Sequence, residues 1–309
     1  MTVSSATLIE ELRGKIKGIV KANEPMSRHT SYCIGGPADL YAEPADIEDI
    51  VTLLVESNRL GIPWYPIGDG QNLLVSDHGI RGMVIRLGKP LGYIKVDGVR
   101  VIAGAGAKLT KTMDVAMRHS LAGLEGCTGV PGSIGGAIVM NAGTKYGYVG
   151  DVTRRVRVVN SDGSVQDLTP EEVGFTYRGS GLQSGGRIVV EAEFELKPGS
   201  KEDLISMVDR LKRRRNMTQP SATKSAGCVF KNPDDLHASR MIDGAGAKGM
   251  RIGGAEVSTK HANYLINTGN ACASDVRALA ERTREMVHDK FGIMLDYEVK
   301  LLGDWQDVD

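Results

Sequence analysis

The stretch GVPGSIGGAIVMNAG (129–143) packs glycines densely around a short apolar run. Glycine loses more backbone freedom on folding than any other residue, so this density indicates that the backbone approaches a ligand closely. A second loop, GDGQN (68–72), directly follows the apolar run WYPI (64–67). Taken alone it is either a tight turn or a nest of backbone N–H groups that binds an anion. Together, the two loops predict a fold that holds a large phosphate-bearing cofactor.

A third glycine pattern, GAGAKG (244–249), matches GxGxxG letter for letter. The dinucleotide fingerprint of a Rossmann fold needs a strand before it, a helix after it and an acidic residue about 20 positions later. The preceding residues, HASRMID (237–243), are polar and helix-like, and the acidic residue is missing at that distance. We therefore interpret the pattern as a helix end followed by a turn, which argues against a Rossmann site.

Composition narrows the class of protein. The chain has 309 residues, of which 41% are hydrophobic and 25% charged, so it is a globular protein long enough for about two domains. The 38 basic residues balance the 38 acidic ones, which disfavours a nucleic-acid partner. No apolar run reaches the roughly 18 residues of a membrane helix, and the N-terminus does not resemble a secretory signal. We therefore expect a cytoplasmic protein without a membrane partner.

The cysteines give no sign of a metal site. They form no CxxC pair and have no histidine at ligand spacing, and they are Cys33, Cys127, Cys228 and Cys272. In a cytoplasmic protein we expect these thiols to be reduced.

Local patterns predict short strands and helices in mixed order. Apolar residues at helical spacing between Leu8 and Val20 predict an N-terminal helix, with Ser4 or Ser5 as its N-cap. Asp46 and Gly61 are typical of the cap and the stop of a helix over 46–60. Further helices are predicted over 108–119, 201–216 and 274–291, and strands over 64–67, 73–75, 83–87, 93–96, 99–103, 156–159, 164–168, 188–196 and 295–303. Such mixing favours an α+β architecture over a doubly wound sheet.

Seven motifs, spread over nearly the whole chain, occur in the order known from one enzyme family. They are HTSYCIGGPADL (29–40), GDGQNLLVSDHGIRG (68–82), GVPGSIGGAIVMNAG (129–143), FTYRGS (175–180), AGCVFKNP (226–233), IDGAGAKGMRIGGAEVSTKHANYLIN (242–267) and LDYEVKLLG (295–303). In this order they resemble the UDP-N-acetylenolpyruvoylglucosamine reductase family. The chain is similar to the short type of that family, because no long insertion interrupts 242–267 and little follows Gly303.

The resemblance implies an α+β fold with an FAD-binding domain of the vanillyl-alcohol-oxidase (PCMH) type and a C-terminal α+β substrate-binding domain. It implies this division: an N-terminal helix and lead-in over 1–28, the FAD-binding domain over 29–198 with two subdomains split near 90–105, a linking helix and basic run over 199–220, the substrate-binding domain over 221–303 and a tail over 304–309. The implied cofactors are FAD and NADPH, the implied partner is a UDP-sugar, and a monomer is favoured.

The implied reaction reduces the enolpyruvyl ether of UDP-N-acetylglucosamine to the D-lactyl ether, which gives UDP-N-acetylmuramate for peptidoglycan. Hydride addition to the terminal carbon leaves negative charge on the neighbouring carbon and its carboxylate. Stabilising that charge needs cationic or hydrogen-bonding groups that are already in place. Completing the reaction needs a proton donor.

Three residues are the candidate catalytic groups. Arg178 in FTYRGS carries a two-pronged guanidinium that suits a carboxylate, although a surface salt bridge is the alternative. Glu298 matches the family's catalytic glutamate and is expected on a strand, either as a paired core residue or as a protonated acid. Cys228 stands where the family commonly has a serine proton donor, and a thiol is a stronger acid than an alcohol. The alternative for Cys228 is a packing cysteine, as we expect for the other three.

The resemblance also implies the binding residues. The expected cofactor contacts are Gly68, Asp69, Gly70, Gln71, Asn72, Leu73, Gly132, Ser133, Gly135, Gly136, Asn141 and Val189. The expected substrate contacts are Tyr177, Arg215, Lys231 and Asn232. The chain departs from the family pattern at Gln71, where a small hydroxyl residue is common, and at Tyr297, where proline is common. The basic run 212–215 either faces the diphosphate or is a solvated helix end, and His261 is expected to be structural.

Two other functions stay open at this point. One is a different flavin oxidoreductase of the same FAD-binding fold, which oxidises an alcohol or sugar and often links flavin covalently to an N-terminal histidine. His29 is the candidate for that link, although its surroundings, RHTSYCIGG (28–36), match the reductase. The other is a non-catalytic sugar-nucleotide sensor, which the joint presence of the three candidate catalytic residues disfavours.

Overall fold

The computed structural model describes residues 5–305, and its contacts group the chain into two compact units. Within the described residues the first unit comprises 5–23, 40–69 and 82–214, and the second comprises 24–39, 70–81 and 215–305. Each unit has an apolar core of its own. The functional domain boundaries expected from the sequence stay a prediction. The cap candidate Ser4 and most of the tail over 304–309 lie outside the described residues.

The strands are mostly short. They are β1 (Ile19–Pro25), β2 (Pro37–Glu43), β3 (Trp64–Ile67), β4 (Leu73–Val75), β5 (Ile80–Arg86), β6 (Ile94–Asp97), β7 (Arg100–Gly104), β8 (Leu121–Ala122), β9 (Gly143–Thr144), β10 (Gly147–Tyr148), β11 (Thr153–Asn160), β12 (Val165–Leu168), β13 (Arg187–Glu195), β14 (Lys197–Pro198), β15 (Arg251–Ile252), β16 (Ala255–Val257), β17 (Leu265–Asn267) and β18 (Lys300–Leu302). The helices are α1 (Ser5–Arg13), α2 (Ile47–Leu60), α3 (Leu109–Arg118), α4 (Ile134–Val139), α5 (Pro170–Val173), α6 (Lys201–Thr218), α7 (Ala238–Gly244) and α8 (Ala273–Phe291).

The sheets mix parallel and antiparallel pairs, which confirms the α+β architecture. A five-stranded antiparallel sheet in the first unit has the order β12-β11-β13-β7-β6. A four-stranded sheet has the order β1-β2-β5-β3, with β3 parallel to β5. The second unit contains the antiparallel sheet β15-β16-β17 and the parallel pair β4 and β18. No helix within the described residues is long and apolar enough to span a membrane.

Strand β13 shows how the five-stranded sheet separates its two faces. Ala192 and Phe194 are fully buried in the apolar core of the first unit, whereas the alternate residues Glu191 and Glu193 carry charge on the opposite face. Arg155 on β11 pairs with both glutamates at 3.0 and 3.1 Å. The period of two along a strand therefore gives the sheet one apolar face and one ion-paired face.

Several local predictions are confirmed, and one is wrong. The Asp46 side chain caps α2 by accepting from the Asp49 N–H, and Gly61 ends the helix in the left-handed conformation with φ of 65°. Strands β6 and β7 pair across the Asp97-Gly98 turn. The N-terminal helix, however, ends at Arg13 instead of continuing to Val20, which lies on β1. Val20 is buried as the pattern predicted, but as a strand residue.

The GAGAKG segment is a helix end, as predicted. Helix α7 ends at Gly244, and Gly246 and Gly249 follow with φ values of 83° and 75°. Because such positive φ values favour glycine, the pattern is explained by the turn itself.

A buried carboxylate fixes the start of the first unit. Asp49 is only 2% exposed, and its oxygens accept hydrogen bonds from the backbone N–H groups of Lys17, Gly18 and Ala45 at 2.8 to 2.9 Å. The side chain thereby joins the loop before β1 to the first turn of α2. Removing it leaves three backbone donors without their acceptor.

We expect Asp49→Ala to lower the free energy of unfolding by about 3 kcal/mol, since each unsatisfied donor costs about 1 kcal/mol or more. Urea denaturation followed by circular dichroism measures the change. Glu48→Ala is the control, because the Glu48 side chain is 82% exposed and pairs with Lys17 at the surface. A loss for Asp49→Ala as small as that of the control would contradict this role.

Candidate active site

The first unit brings the Gly68–Asp69 turn against the loop before α4. A Cβ atom on Gly68 would collide with the Ser133 Oγ, so the two backbones approach closely at this point. Lys108 forms an ion pair with Asp69, and its backbone forms an isolated bridge with Ser133. The Gly132 carbonyl accepts from the Leu109 N–H at 2.9 Å. Two loops that the sequence singled out separately are therefore neighbours.

The loop before α4 and the first turn of α4 leave backbone accessible. Ser133 caps the helix by accepting from the Gly136 N–H at 3.5 Å, and Gly132 has a φ of 124°. Gly136 is exposed, and a Cβ built on it would meet only the Ser133 Oγ at 3.7 Å. The fold itself does not require a glycine at position 136, whereas a Cβ on the neighbouring Gly135 would lie 3.0 Å from the Ala105 Cβ. A glycine that the fold does not require fits a surface that a cofactor covers.

The second half of the GDGQN loop belongs to the second unit. Gly70 has a φ of 62°, and a Cβ there would collide with the His29 carbonyl oxygen, so the fold itself requires this glycine. The Asn72 side chain donates to the Glu298 carbonyl at 3.0 Å, and the Asn72 main-chain carbonyl accepts from the Lys300 N–H at 2.9 Å. Asn72 therefore fixes the backbone around Glu298, and its contact with a cofactor stays a prediction.

Arg178 is held in an unusual conformation. Its φ is 56°, which is rare for a residue with a side chain, and the Gln183 amide donates to its carbonyl at 3.1 Å. The guanidinium donates to the Gly143 carbonyl at 2.8 Å and lies 5.4 and 6.0 Å from the ring centres of Tyr177 and Tyr148. These contacts fix the orientation of the guanidinium, which argues against the alternative that Arg178 forms only a surface salt bridge.

Asn141 braces the segment that carries Arg178. Its side-chain amide donates to the Thr176 carbonyl at 2.9 Å and accepts from the Gly150 N–H at 3.0 Å. Both ends of the amide are therefore engaged within the first unit, so the visible role of this side chain is to position the 175–180 segment. Val189 lies on β13 with its side chain buried in the core. The cofactor contacts expected of both residues stay predictions.

Cys228 lies in an irregular loop, and the residue that follows it is hydrogen-bonded on both sides. The Val229 N–H donates to the Asn263 carbonyl at 2.9 Å, and the Val229 carbonyl accepts from the Glu298 N–H at 2.7 Å. Val229 and Phe230 are each 1% exposed, whereas Cys228 is only half-buried. Gly227, with φ of 78°, makes the turn that precedes it. This setting is unlike that of a packing cysteine.

The expectation that Glu298 lies on a strand is wrong. Strand β18 begins only at Lys300, and the preceding order is limited to an isolated bridge between Tyr297 and Phe230. The reason is that Asn72 bonds to the Glu298 carbonyl, and Val229 accepts from its N–H. Glu298 thus lies on a half-buried connection, one backbone hydrogen bond away from the residue after Cys228.

The side chain of Tyr264 is buried in the second unit, and several predicted site residues affect the pKa of its hydroxyl. Tyr264 is 5% exposed and donates to the Gln219 side-chain oxygen at 2.9 Å. Burial raises the pKa of this phenol well above its usual value, and the charges of an ionised Cys228 and of Glu298 raise it further. The guanidinium of Arg215 acts on the same hydroxyl and opposes that rise in pKa. Three of the predicted site residues in the second unit therefore act electrostatically on one phenol.

The other expected substrate contacts differ in their surroundings. Burial lowers the pKa of Lys300, and the charge of Lys231 lowers it further. Asn232 accepts from the Ala238 N–H at 3.0 Å, which occupies one lone pair of its amide oxygen at the start of α7. Tyr177 is 45% exposed. Their contacts with a substrate stay predictions.

The remaining cysteines differ from one another. Cys127 is 1% exposed, and burial, helped by the charges of Asp151 and Glu125, raises the pKa of its thiol to about 12. It packs as expected. The same expectation is wrong for Cys33, which is exposed, and for Cys272, whose sulfur lies 3.0 Å from the Ser274 hydroxyl at the start of α8.

The two histidines singled out in the sequence make internal contacts. His29 lies 3.0 Å from a Glu24 carboxylate oxygen through its Nε2. His261 packs edge-on against Tyr264, with 5.0 Å between ring centres. Burial lowers the pKa of His261, and the charges of Lys248 and Arg215 lower it further, so the ring stays neutral at neutral pH.

Two residues near the candidate catalytic groups were missed by the sequence analysis. Tyr148 and Tyr264 lie beside Arg178 and beside Arg215 respectively. Neither lies in one of the glycine loops that the sequence analysis singled out or next to a candidate catalytic residue in sequence. Only a search for tyrosines within the matched motifs would have drawn attention to Tyr264, and Tyr148 gave no comparable signal.

Comparisons with known proteins agree with this picture. The family model of the UDP-N-acetylenolpyruvoylglucosamine reductase C-terminal domain matches residues 219–302, and the FAD binding domain model matches residues 38–169. The chain is similar to UDP-N-acetylenolpyruvoylglucosamine reductases of Desulforamulus reducens and Halalkalibacterium halodurans. It is 43% identical to the first, over 96% of this chain and 98% of that protein. It is 41% identical to the second, over 96% of this chain and 99% of that protein.

A solved structure gives the same result. The crystal structure of UDP-N-acetylenolpyruvylglucosamine reductase from Thermus caldophilus is 36% identical, with a TM-score of 0.82 over 92% of this chain and 99% of that one. The predicted FAD-binding domain, the C-terminal domain and the flavin-dependent oxidoreductase class are confirmed. The chain thus belongs to the UDP-N-acetylenolpyruvoylglucosamine reductase family.

Proposed function

We propose that this chain catalyses the NADPH-dependent reduction of UDP-N-acetyl-3-O-(1-carboxyvinyl)-glucosamine to UDP-N-acetylmuramate, a peptidoglycan precursor. The observation that carries the proposal is the similarity to reductases over 96% of the chain. The electrostatic effect of a thiol, a carboxylate and a guanidinium on the one Tyr264 hydroxyl supports it. Since a UDP-sugar and NADPH are metabolites of the cytoplasm, we propose that the enzyme acts there, as a monomer.

The segments 68–72 and 132–136 would hold FAD, which, once reduced by NADPH, would supply a hydride for the terminal carbon of the enolpyruvyl double bond. Arg178 binds the substrate carboxylate and stabilises the negative charge that spreads onto it during this addition. Its fixed guanidinium supports this role, because little reorganisation is needed when the charge develops. Tyr177 and Tyr148 limit the orientations that the guanidinium can adopt.

Cys228 donates the thiol proton to the carbon beside the carboxylate, which completes the addition of hydrogen across the double bond. The sulfur–hydrogen bond breaks, a carbon–hydrogen bond forms, and the thiolate left behind regains a proton from water. Glu298, held one hydrogen bond from Val229, acts as a neutral acid that donates a hydrogen bond to the developing charge. Lys231, Asn232 and Arg215 bind the sugar-nucleotide.

An anaerobic stopped-flow experiment tests the proposal. NADPH should bleach the flavin absorbance, and the enolpyruvyl substrate should restore it, with a product two mass units heavier than the substrate. UDP-N-acetylglucosamine, which lacks the enolpyruvyl group, is the matched control and should restore nothing. A flavin that is reoxidised by oxygen but not by the enolpyruvyl substrate would overturn the proposal in favour of an oxidase.

A substitution at the exposed Gly136 tests whether the glycine segment around α4 binds the cofactor. Because its Cα faces open space in this fold, Gly136→Val should leave the unfolding temperature nearly unchanged while the purified protein loses most of its flavin. The ratio of flavin absorbance to protein absorbance measures the loss. Gly14→Val is the control, since a Cβ on Gly14 meets only two carbonyl oxygens at 3.6 Å. A full flavin complement in Gly136→Val would show that the loop is misassigned.

A further inference from the structure

The adjacent residues Asn263 and Tyr264 connect two parts of the site to which the proposed function gives different tasks. Asn263 is 3% exposed, and its side chain both accepts from the Phe230 N–H at 2.9 Å and donates to the Phe230 carbonyl at 2.8 Å. Its own carbonyl accepts from the Val229 N–H. Three hydrogen bonds therefore fix the backbone that directly follows Cys228.

Tyr264 faces the last turn of α6. Its hydroxyl donates to the Gln219 side chain at 2.9 Å, and the Gln219 N–H donates to the Arg215 carbonyl at 2.8 Å. Gln219 and Arg215 thus belong to one turn. A phenol oxygen that donates its proton still has lone pairs to accept from a guanidinium N–H, and the Arg215 side chain acts on this oxygen.

The Tyr264 hydroxyl is protonated at neutral pH. Burial raises its pKa well above the neutral range, so the hydroxyl keeps its proton. It then remains a donor to Gln219 and an acceptor for Arg215. Phenylalanine at this position keeps the ring packing against His261 but loses both hydrogen bonds.

We propose that Tyr264 is a positioning residue that aims the Arg215 guanidinium at the diphosphate of the UDP-sugar, while the neighbouring Asn263 holds the Cys228 backbone. Because Asn263 and Tyr264 are consecutive, one short segment positions both Arg215, which binds the diphosphate, and the backbone of Cys228, which delivers the proton. This inference rests on the proposed function for its substrate, but its structural basis is the hydrogen bonds of the second unit.

A second contact holds the last turn of α6 in place independently of Tyr264. The Lys260 side chain donates to the Asn216 carbonyl, which also ties the last turn of α6 to the 258–264 segment. In Tyr264→Phe this turn therefore stays attached, and what is lost is the orientation of the Arg215 side chain. We expect the unfolding temperature to change little.

The experiment compares Tyr264→Phe with the parent holoenzyme. We expect KM for the enolpyruvyl substrate to rise about tenfold, as for the loss of a hydrogen bond to a charged group, while flavin reduction by NADPH changes by less than about twofold. UDP alone, measured by calorimetry, should bind about tenfold more weakly for the same reason. Tyr93→Phe is the matched control, since its half-buried hydroxyl donates to Glu191 at 2.6 Å in the first unit. It should leave both values unchanged.

A double-mutant cycle separates positioning from a general structural role. If Tyr264 acts through Arg215, adding Tyr264→Phe to Arg215→Ala should not raise KM further. A further rise of the same size would overturn the inference, as would unchanged UDP binding in Tyr264→Phe alone. If the parent protein binds UDP but never turns over the enolpyruvyl substrate, the proposed function fails, and UDP binding by the variants still decides the role of Tyr264.

Discussion

Replacing Cys228 with alanine is expected to lower kcat by about a thousandfold while the flavin stays bound and NADPH still reduces it, because a positioned general acid contributes about 10²- to 10⁴-fold. Cys228→Ser should keep much more of the activity, since the family commonly uses serine at this position. The serine variant should also resist the inactivation by hydrogen peroxide that we expect for the parent. Stopped-flow measurement of the two half-reactions, together with steady-state turnover, gives each of these values.

The matched control is Cys33→Ala, which removes another accessible thiol from the second unit. It should keep full activity. The alternative, a packing role, makes the opposite prediction for Cys228: alanine would be nearly fully active and serine no better, because a hydroxyl in an apolar site is unfavourable. Turnover of Cys228→Ala within a few-fold of the parent would remove the thiol from the mechanism.

Arg178→Lys should slow reoxidation of the flavin by the enolpyruvyl substrate by about a hundredfold or more, as when a donor that stabilises developing charge is lost. Lysine keeps the charge but not the fork that grips a carboxylate, and it stacks less well between two rings. Reduction by NADPH should be unaffected. The two half-reactions are followed separately by the flavin absorbance.

Arg154→Lys is the control for this substitution, because Arg154 is an exposed arginine of the first unit that pairs with Glu195 at 3.7 Å. Neither half-reaction should change. An equal loss in both half-reactions of Arg178→Lys would instead assign Arg178 to cofactor binding or to folding. The positive φ of Arg178 applies to lysine as well, so the comparison tests the guanidinium and not the backbone.

The elements that could be predicted from the sequence are those whose causes are local. Helix α2 was predicted because its cap, Asp46, and its stop, Gly61, act on neighbouring backbone groups. The β6–β7 hairpin and the end of α7 follow from glycines that take positive φ values. The N-terminal helix was extended too far, since Leu12, Ile16 and Val20 are buried at a spacing that suits one helix face. In fact the chain changes from helix to strand between them.

The candidate site was predicted in its residue types but not in its geometry. The motifs drew attention to Arg178, Cys228 and Glu298, yet Glu298 was expected on a strand. Its true position depends on Asn72, which is 226 residues away in sequence. The residues that surround the Tyr264 hydroxyl likewise come from separate segments.

The sequence by itself therefore determined the architecture class, the capped helices, the glycine loops and the family. Each of these depends on backbone propensity or on the order of motifs along the chain. The tertiary structure alone decided that Asn141 braces the Arg178 segment and that Asn263 and Tyr264 join the turn of Arg215 to the stretch of Cys228. The physical reason is that a buried amide or hydroxyl must find a partner. Which partner it finds depends on how distant segments pack, and no local pattern specifies that.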